Sequence, residues 1–170
     1  MGRTITMWRI LSLLLLCVTL SACGSQSKFK SYDGPEVTSI QVHKSQRKMY
    51  LLHDNIAIKT YDIGLGPQPM GHKKISGDGR TPEGLYFIDR RNPNSQYHLS
   101  VGISYPDPQD VEVARALGLS PGGDIFIHGE AGWAKGRPRD WTAGCIAVTD
   151  KEIEEVYSMV REGTPIYLLP

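Results

Sequence analysis

Apolar residues recur at every second position through much of the chain's body. Ser39-Ile40-Gln41-Val42-His43 alternates polar with apolar. Met49-Tyr50-Leu51-Leu52 follows a polar turn at residues 44–48, and residues 56–63 alternate again after the turn signal His53-Asp54-Asn55. A period of two marks strands with one buried face, and three such runs in series predict an antiparallel meander. Leu85-Tyr86-Phe87-Ile88 reads as a further strand, residues 97–103 as another and residues 166–169 as the last. His43 and His53, at a strand end and in a turn, are expected to face solvent.

The period turns helical in two places. Residues 111–117 predict a short helix, with Asp110 as N-cap and Gly118 as terminator. Thr149 and Glu152 fit a capping box; Ile153, Val156, Tyr157 and Val160 then share one helical face, and Gly163 ends the run. Residues 64–84 are rich in turn signals. They lack a Walker-type Gly-Lys-Ser/Thr and no helical pattern follows, so they read as a structured loop beside a sheet. His72 in that loop is a candidate site-lining residue, with a plain loop position as the alternative. Residues 90–123 are mostly irregular, and a connection of that length usually forms a lid or a binding wall. The 18 glycines and 11 prolines favour turns and short strands over long helices. The fold class is therefore mainly β, with one or two short helices, in a single domain over residues 37–170.

Residues 1–22 follow another pattern. Arg3 and Arg9 precede a largely apolar run at residues 10–20, too short to span a bilayer comfortably, which reads as an export signal. Leu20-Ser21-Ala22-Cys23 resembles the lipobox of bacterial lipoproteins. That resemblance implies cleavage before Cys23 and lipidation of its thiol and new amine. An ordinary secretory signal cleaved nearby is the alternative. The next residue is Gly24 rather than Asp, which by the same resemblance implies the outer membrane, facing the periplasm, in a Gram-negative host. Residues 23–36 are Ser/Lys/Gly-rich and read as a flexible tether. The formal charge of +1 becomes −1 once Arg3 and Arg9 are removed, and no basic stripe stands out, so no nucleic-acid partner is expected.

The chemistry concentrates in residues 125–146. Ile125-Phe126-Ile127-His128-Gly129 delivers a histidine at the end of an apolar run, and Trp141-Thr142-Ala143-Gly144-Cys145-Ile146 follows a Gly/Pro/Arg-rich loop. With Cys17 in the signal and Cys23 acylated, Cys145 has no disulfide partner. A lone thiol in an exported protein is either a small buried core residue or a reactive group. A histidine able to take its proton points to the second. Gly144 allows a sharp turn in which successive N–H groups converge on a developing oxyanion. Glu130 or a backbone carbonyl could orient the imidazole. A zinc site would need three or four ligands at sensible spacing, and the five histidines are scattered, so no metal or other cofactor is expected.

His128-Gly129, then Thr142-Ala143-Gly144-Cys145-Ile146, resembles the L,D-transpeptidase catalytic domain, or YkuD-type family. Gly77-Asp78-Gly79-Arg80-Thr81-Pro82-Glu83-Gly84-Leu85-Tyr86, Met49-Tyr50-Leu51, Tyr61-Asp62-Ile63-Gly64 and Gly163-Thr164-Pro165-Ile166 extend the resemblance over residues 37–169. It implies a β-sandwich-like fold and action on peptidoglycan stem peptides. Cys145 would attack the carbonyl of a diamino-acid residue, expel D-alanine and form a thioester. His128 would act as base and then as acid, oriented by the Gly129 carbonyl. The N–H groups of Gly144, Cys145 and Ala143 would hold the oxyanion, with Thr142 beside them. An amine of a second stem peptide, or a lysine of a wall-linked protein, would resolve the thioester; water would do so in a carboxypeptidase or endopeptidase. Arg137, Arg139 and Asp140 are candidates to bind the charged diamino-acid terminus, or else form a solvated loop. Ala143 and Ala147 depart from the pattern, which in many members carries His before the motif glycine and Arg or Asn two residues after the cysteine. The Asp140-Trp141-Thr142 context is similar to the branch that includes hydrolases of peptidoglycan–protein links. A non-catalytic peptidoglycan-binding lipoprotein is the alternative from another class.

Overall fold

A computed structural model describes residues 27–170 of the chain. The export signal, Cys17 and the Cys23 lipobox lie outside the described residues. The first three strands, β1 (Ser39–His43), β2 (Lys48–His53) and β3 (Ile56–Asp62), form the expected antiparallel meander. They are followed by β4 (Gly84–Asn92), β5 (Ser100–Ile103), helix α1 (Pro108–Ala116), β6 (Phe126–His128), β7 (Ile146–Ala147), helix α2 (Asp150–Met159) and β8 (Pro165–Leu169).

All eight strands join one mixed sheet in the order β3-β2-β1-β8-β4-β5-β6-β7. The last strand is inserted in its middle, parallel to β1 and antiparallel to β4. Strand β4 belongs to both halves: residues 84–87 pair with β8, and residues 88–92 pair with β5. An irregularity between Ile88 and Arg90 separates the two stretches, and such bulges bend a strand. The far edges then meet. Gly64, just past β3, exchanges two backbone hydrogen bonds of 2.9 Å with Ala147 of β7. The expected sandwich-like layering is thus achieved by one sheet curled on itself into a half-barrel. Its inner face and α2 form the core, with Ile40, Val42, Met49, Leu51, Ile127, Ile146, Ile153 and Val156 buried there.

Four details depart from the sequence pattern. The cap of α1 is Asp107, not Asp110, because Pro108 opens the helix with its φ already set and no N–H to satisfy. Asp110 becomes the third helical residue and a buried acceptor, 2.8 Å from the Tyr86 hydroxyl. The strand expected over residues 97–103 starts only at Ser100, since Tyr97 turns onto His128. Lys44, expected in a polar turn, is buried: its ammonium donates to Gly71 O, Thr81 O and Glu83 Oε1 at 2.7–2.9 Å. Finally, the described part of the expected tether lies on the domain. Lys28 Nζ donates to Pro93 O and His98 O, Lys30 pairs with Glu154, and Tyr32 packs against the core.

Candidate active site

The pairing of β6 with β7 fixes the relation between the histidine and the cysteine. Ile127 lies beside Ile146 and His128 beside Ala147, so Cys145 is level with Phe126. Side chains two apart on a strand share a face. Phe126, His128, Cys145 and Ala147 therefore project from one face, while Ile127 and Ile146 enter the core from the other. His128 and Cys145 line one cleft of about 300 Å³, together with Asn92, Tyr97, Ser100, Asp124 and Phe126.

The cysteine loop is braced from below. Gly144 has φ +135°, and a Cβ there would stand 2.5 Å from the Arg80 carbonyl oxygen, so only glycine fits. The buried Thr81 hydroxyl donates to the Gly144 carbonyl at 2.8 Å. A peptide's C=O and N–H point in opposite directions, so this bond turns the Cys145 N–H away from Thr81. Thr142 Oγ1 donates to the Cys145 carbonyl at 2.7 Å and accepts the Gly144 N–H at 3.2 Å. The Gly144 N–H, expected at the oxyanion, is thus engaged within the loop. Among the described residues, the N–H groups of Ala143 and Cys145 meet no backbone acceptor. Asp78 keeps Thr81 in place by accepting the N–H groups of Lys74, Ile75 and Arg80 and the Lys73 ammonium.

The histidine is held as firmly. Its Nδ1 is 2.6 Å from the Gly129 carbonyl oxygen. With Nδ1–H donated there, Nε2 keeps its lone pair for a proton. The ring stacks on Tyr97 at 4.3 Å and meets Trp141 at 5.7 Å. Gly129 has no room for a side chain: a Cβ would lie 2.6 Å from Asp150 Oδ1 and 2.8 Å from the Tyr97 carbonyl oxygen. Asp150 Oδ1 accepts the N–H groups of Glu130 and Ala131, which turns the chain away from β6.

Burial pushes the imidazole pKa down, against the smaller opposing effect of the Gly129 carbonyl. Burial pushes the Cys145 thiol up, helped by Asp124 and opposed by the Phe126 N–H and Lys73. The Sγ donates to the Asp124 carbonyl oxygen at 3.4 Å. Both shifts favour a neutral thiol beside a neutral imidazole. In such a pair the proton moves to the base as the sulfur attacks.

The other sequence candidates are placed differently. Arg139 Nε donates to Ile63 O, and its NH2 to Arg47 O and the Asp62 carboxylate. Asp140 is clamped by Arg47 and by the Leu65 N–H; burial alone would raise its pKa, but these bonds outweigh it and hold the carboxyl low. Arg137 stands over Trp133 and Trp141. Arg137 and Arg139 line a second cavity of about 330 Å³ with Trp141 and Ala147, not the cleft that holds Cys145. Ala143 is exposed and Ala147 is buried. His72 is 2.8 Å from Asp110 Oδ1 and lines a groove apart from Cys145. Neither Tyr97 nor Thr81 stood out in the sequence as a site residue. The only signal for Thr81 was its place in a turn-rich stretch that the family resemblance also covers.

Over residues 38–168 the chain matches YkuD, the L,D-transpeptidase catalytic domain. It is 31% identical, across 171 aligned positions, to the Escherichia coli K12 protein named "Putative L,D-transpeptidase YafK". That alignment covers 89% of this chain and 62% of the relative, so the chain spans about three-fifths of the relative's length. The crystal structure of the helical cell shape determining protein Pgp2 from Campylobacter jejuni is similar at a TM-score of 0.61 and 27% identity, over 88% of this chain and 53% of that one. Bd1075 from Bdellovibrio bacteriovorus is similar at 0.55 and 25% identity, over 82% and 50%. With most of its length matched and its cysteine and histidine on one face of the expected sheet, the chain belongs to the L,D-transpeptidase catalytic domain family.

Proposed function

We propose that the protein is a cysteine L,D-transpeptidase acting on peptidoglycan stem peptides. The observation that carries this is the placing of His128 and Cys145 in one cleft, with the Gly129 carbonyl leaving Nε2 free. Cys145 attacks the carbonyl of the diamino-acid residue as His128 takes the thiol proton. The Cys145 N–H holds the oxyanion. The intermediate collapses to a thioester, and the protonated His128 returns the proton to the departing D-alanine amine. An amine of a second stem peptide, or of a wall-linked protein lysine, then displaces the sulfur. Attack of water on the same thioester would make the protein a hydrolase instead. The likeness to the helical cell shape determining protein Pgp2 supports a role in cell shape.

The test uses the mature chain and its Cys145→Ala variant on purified wall fragments, read by mass spectrometry. New cross-linked dimers made only by the wild type are expected. Loss of D-alanine or split cross-links without dimers would instead assign the hydrolase. Identical products from both proteins would remove Cys145 as nucleophile. The same proposal places the protein on the outer membrane through a lipid on Cys23. Cys23→Ser should release it into the soluble periplasmic fraction, and a variant still sedimenting with membranes would contradict the anchor.

A further inference from the structure

The loop that joins β4 to β5 forms one wall of the Cys145 cleft. Asn92 and Ser100 pair at its base, and Ser95, Gln96 and Tyr97 line the cleft together with His128 and Cys145. Inside the loop the bonds are short in range. Asn92 Oδ1 accepts the Asn94 N–H, Ser95 Oγ accepts the Tyr97 N–H, and the Tyr97 carbonyl accepts the Leu99 N–H. His98 has φ +75°, a left-handed conformation that a β-carbon disfavours. A residue so strained keeps its conformation only where its surroundings over-determine it.

Those surroundings come from the segment that the sequence reads as a tether. Lys28 Nζ donates to Pro93 O at 2.7 Å and to His98 O at 3.1 Å, so one ammonium bridges the two ends of the loop. The His98 ring is 2.9 Å from Glu154 Oε1 of α2, and Lys30 pairs with the other oxygen of that carboxylate at 3.2 Å. His98 is thereby held at its carbonyl and at its ring. Tyr97, the residue before it, is left with its own ring stacked on the His128 imidazole at 4.3 Å and 24°. We infer that Lys28 is a positioning residue for the active site: by clasping Pro93 and His98 it holds Tyr97 on the imidazole and sets one wall of the cleft. Its part in the reaction rests on the function proposed above; its hold on His128 does not. The dyad itself stands on β6 and at the start of β7, so loss of the clasp slows acylation without abolishing it.

A merely supporting role would leave the imidazole's titration unmoved. The imidazole meets Tyr97, Trp141 and the Gly129 carbonyl, with Cys145 and Asp124 in the same cleft and Arg137 beyond Trp141. Burial is what holds its pKa down. Taking Tyr97 off the ring admits water, favours the charged form and raises the pKa toward its ordinary value. The base must be neutral to take the thiol proton, so the acidic limb of the pH profile of kcat/KM moves to higher pH with it.

The test uses the mature chain with Lys28→Met, which keeps the side chain's length and removes its donors, and Lys28→Arg, which keeps donors for both carbonyls. The His128 titration is followed by NMR, and acylation of Cys145 by a stem tetrapeptide is measured across pH. Lys28→Met should raise the His128 pKa, move the acidic limb by the same amount and lower kcat/KM on the order of tenfold, mainly through KM. Lys28→Arg should recover the wild-type values. An unchanged titration in Lys28→Met overturns the clasp, whatever happens to the melting temperature. A shifted titration with kcat/KM unchanged at every pH would remove Lys28 from the reaction. A shifted titration in a protein that stem peptides do not acylate, although iodoacetamide alkylates Cys145, would sink the proposed function and still assign the hold on Tyr97 to Lys28.

Discussion

At the scale of single residues, the cysteine's reactivity depends on groups distant in sequence. Thr81 is fully buried, and its hydroxyl fixes the Gly144–Cys145 peptide plane from 63 residues away. Its own carbonyl accepts the buried Lys44 ammonium, which burial holds below the ordinary lysine range. Replacing Thr81 by valine keeps the volume and removes the donor. The Cys145 N–H would then lose its fixed aim, and an oxyanion donor is worth roughly 10²–10³ in rate. Acylation by a stem peptide should therefore fall by about 10²-fold in Thr81→Val and recover in Thr81→Ser. Alkylation by iodoacetamide passes through no oxyanion, so its rate should stay as in the wild type. A parallel fall in both rates would mean that Thr81 merely supports the loop. Local sequence and resemblance single out Cys145, His128 and the Gly129 carbonyl, and the fold places both side chains in one cleft with that carbonyl on the imidazole. Thr81, Tyr97 and Asp124 are not singled out, because only tertiary contacts bring Thr81 to Gly144, Tyr97 to His128 and Asp124 to Cys145. Sequence does not tell which acceptor a loop amide meets: the Gly144 N–H, expected at the oxyanion, is taken by the nearby Thr142 hydroxyl.

Among the elements, what could be read was what local chemistry decides. The capping box of α2 is present as expected: Thr149 N–H donates to Glu152 Oε2 at 2.8 Å, and the helix buries Ile153 and Val156. Alternation located every strand of the opening meander. At two positions tertiary partners outweigh local propensity. Asp110 looked like a cap because it precedes an apolar run, but Asp107 with Pro108 captures the helix start one turn earlier and frees Asp110 to meet Tyr86. Lys44 looked like a turn residue, yet three acceptors converge on it, and an ammonium so satisfied tolerates burial. Strand β7, only two residues long, has too short a period to recognise. It exists because β6 offers a parallel edge on one side and Gly64 bridges it on the other.

For the molecule as a whole, the decisive feature is that the last strand sits in the middle of the sheet. Strand β8 pairs with β1 through residues 40–43 and with β4 through residues 84–87. Without it, the meander and the half that carries His128 and Cys145 share no sheet neighbour, and the seam between Gly64 and Ala147 is left as a single bridge. The unpaired edges of β1 and β4 would then expose their backbone groups and the core residues Ile40, Val42, Tyr86 and Ile88. The N-terminal segment has the opposite character, for Lys28 and Lys30 reach only carbonyls and one carboxylate at the surface. Deleting residues 1–30 should therefore leave a cooperatively melting domain in which Cys145 still acylates. Ending the chain at residue 162 should abolish both the thermal transition and acylation, although His128 and Cys145 are untouched. A truncated chain that still melts cooperatively and acylates would show that the half-sheet from β4 to β7 folds and positions the dyad without β8.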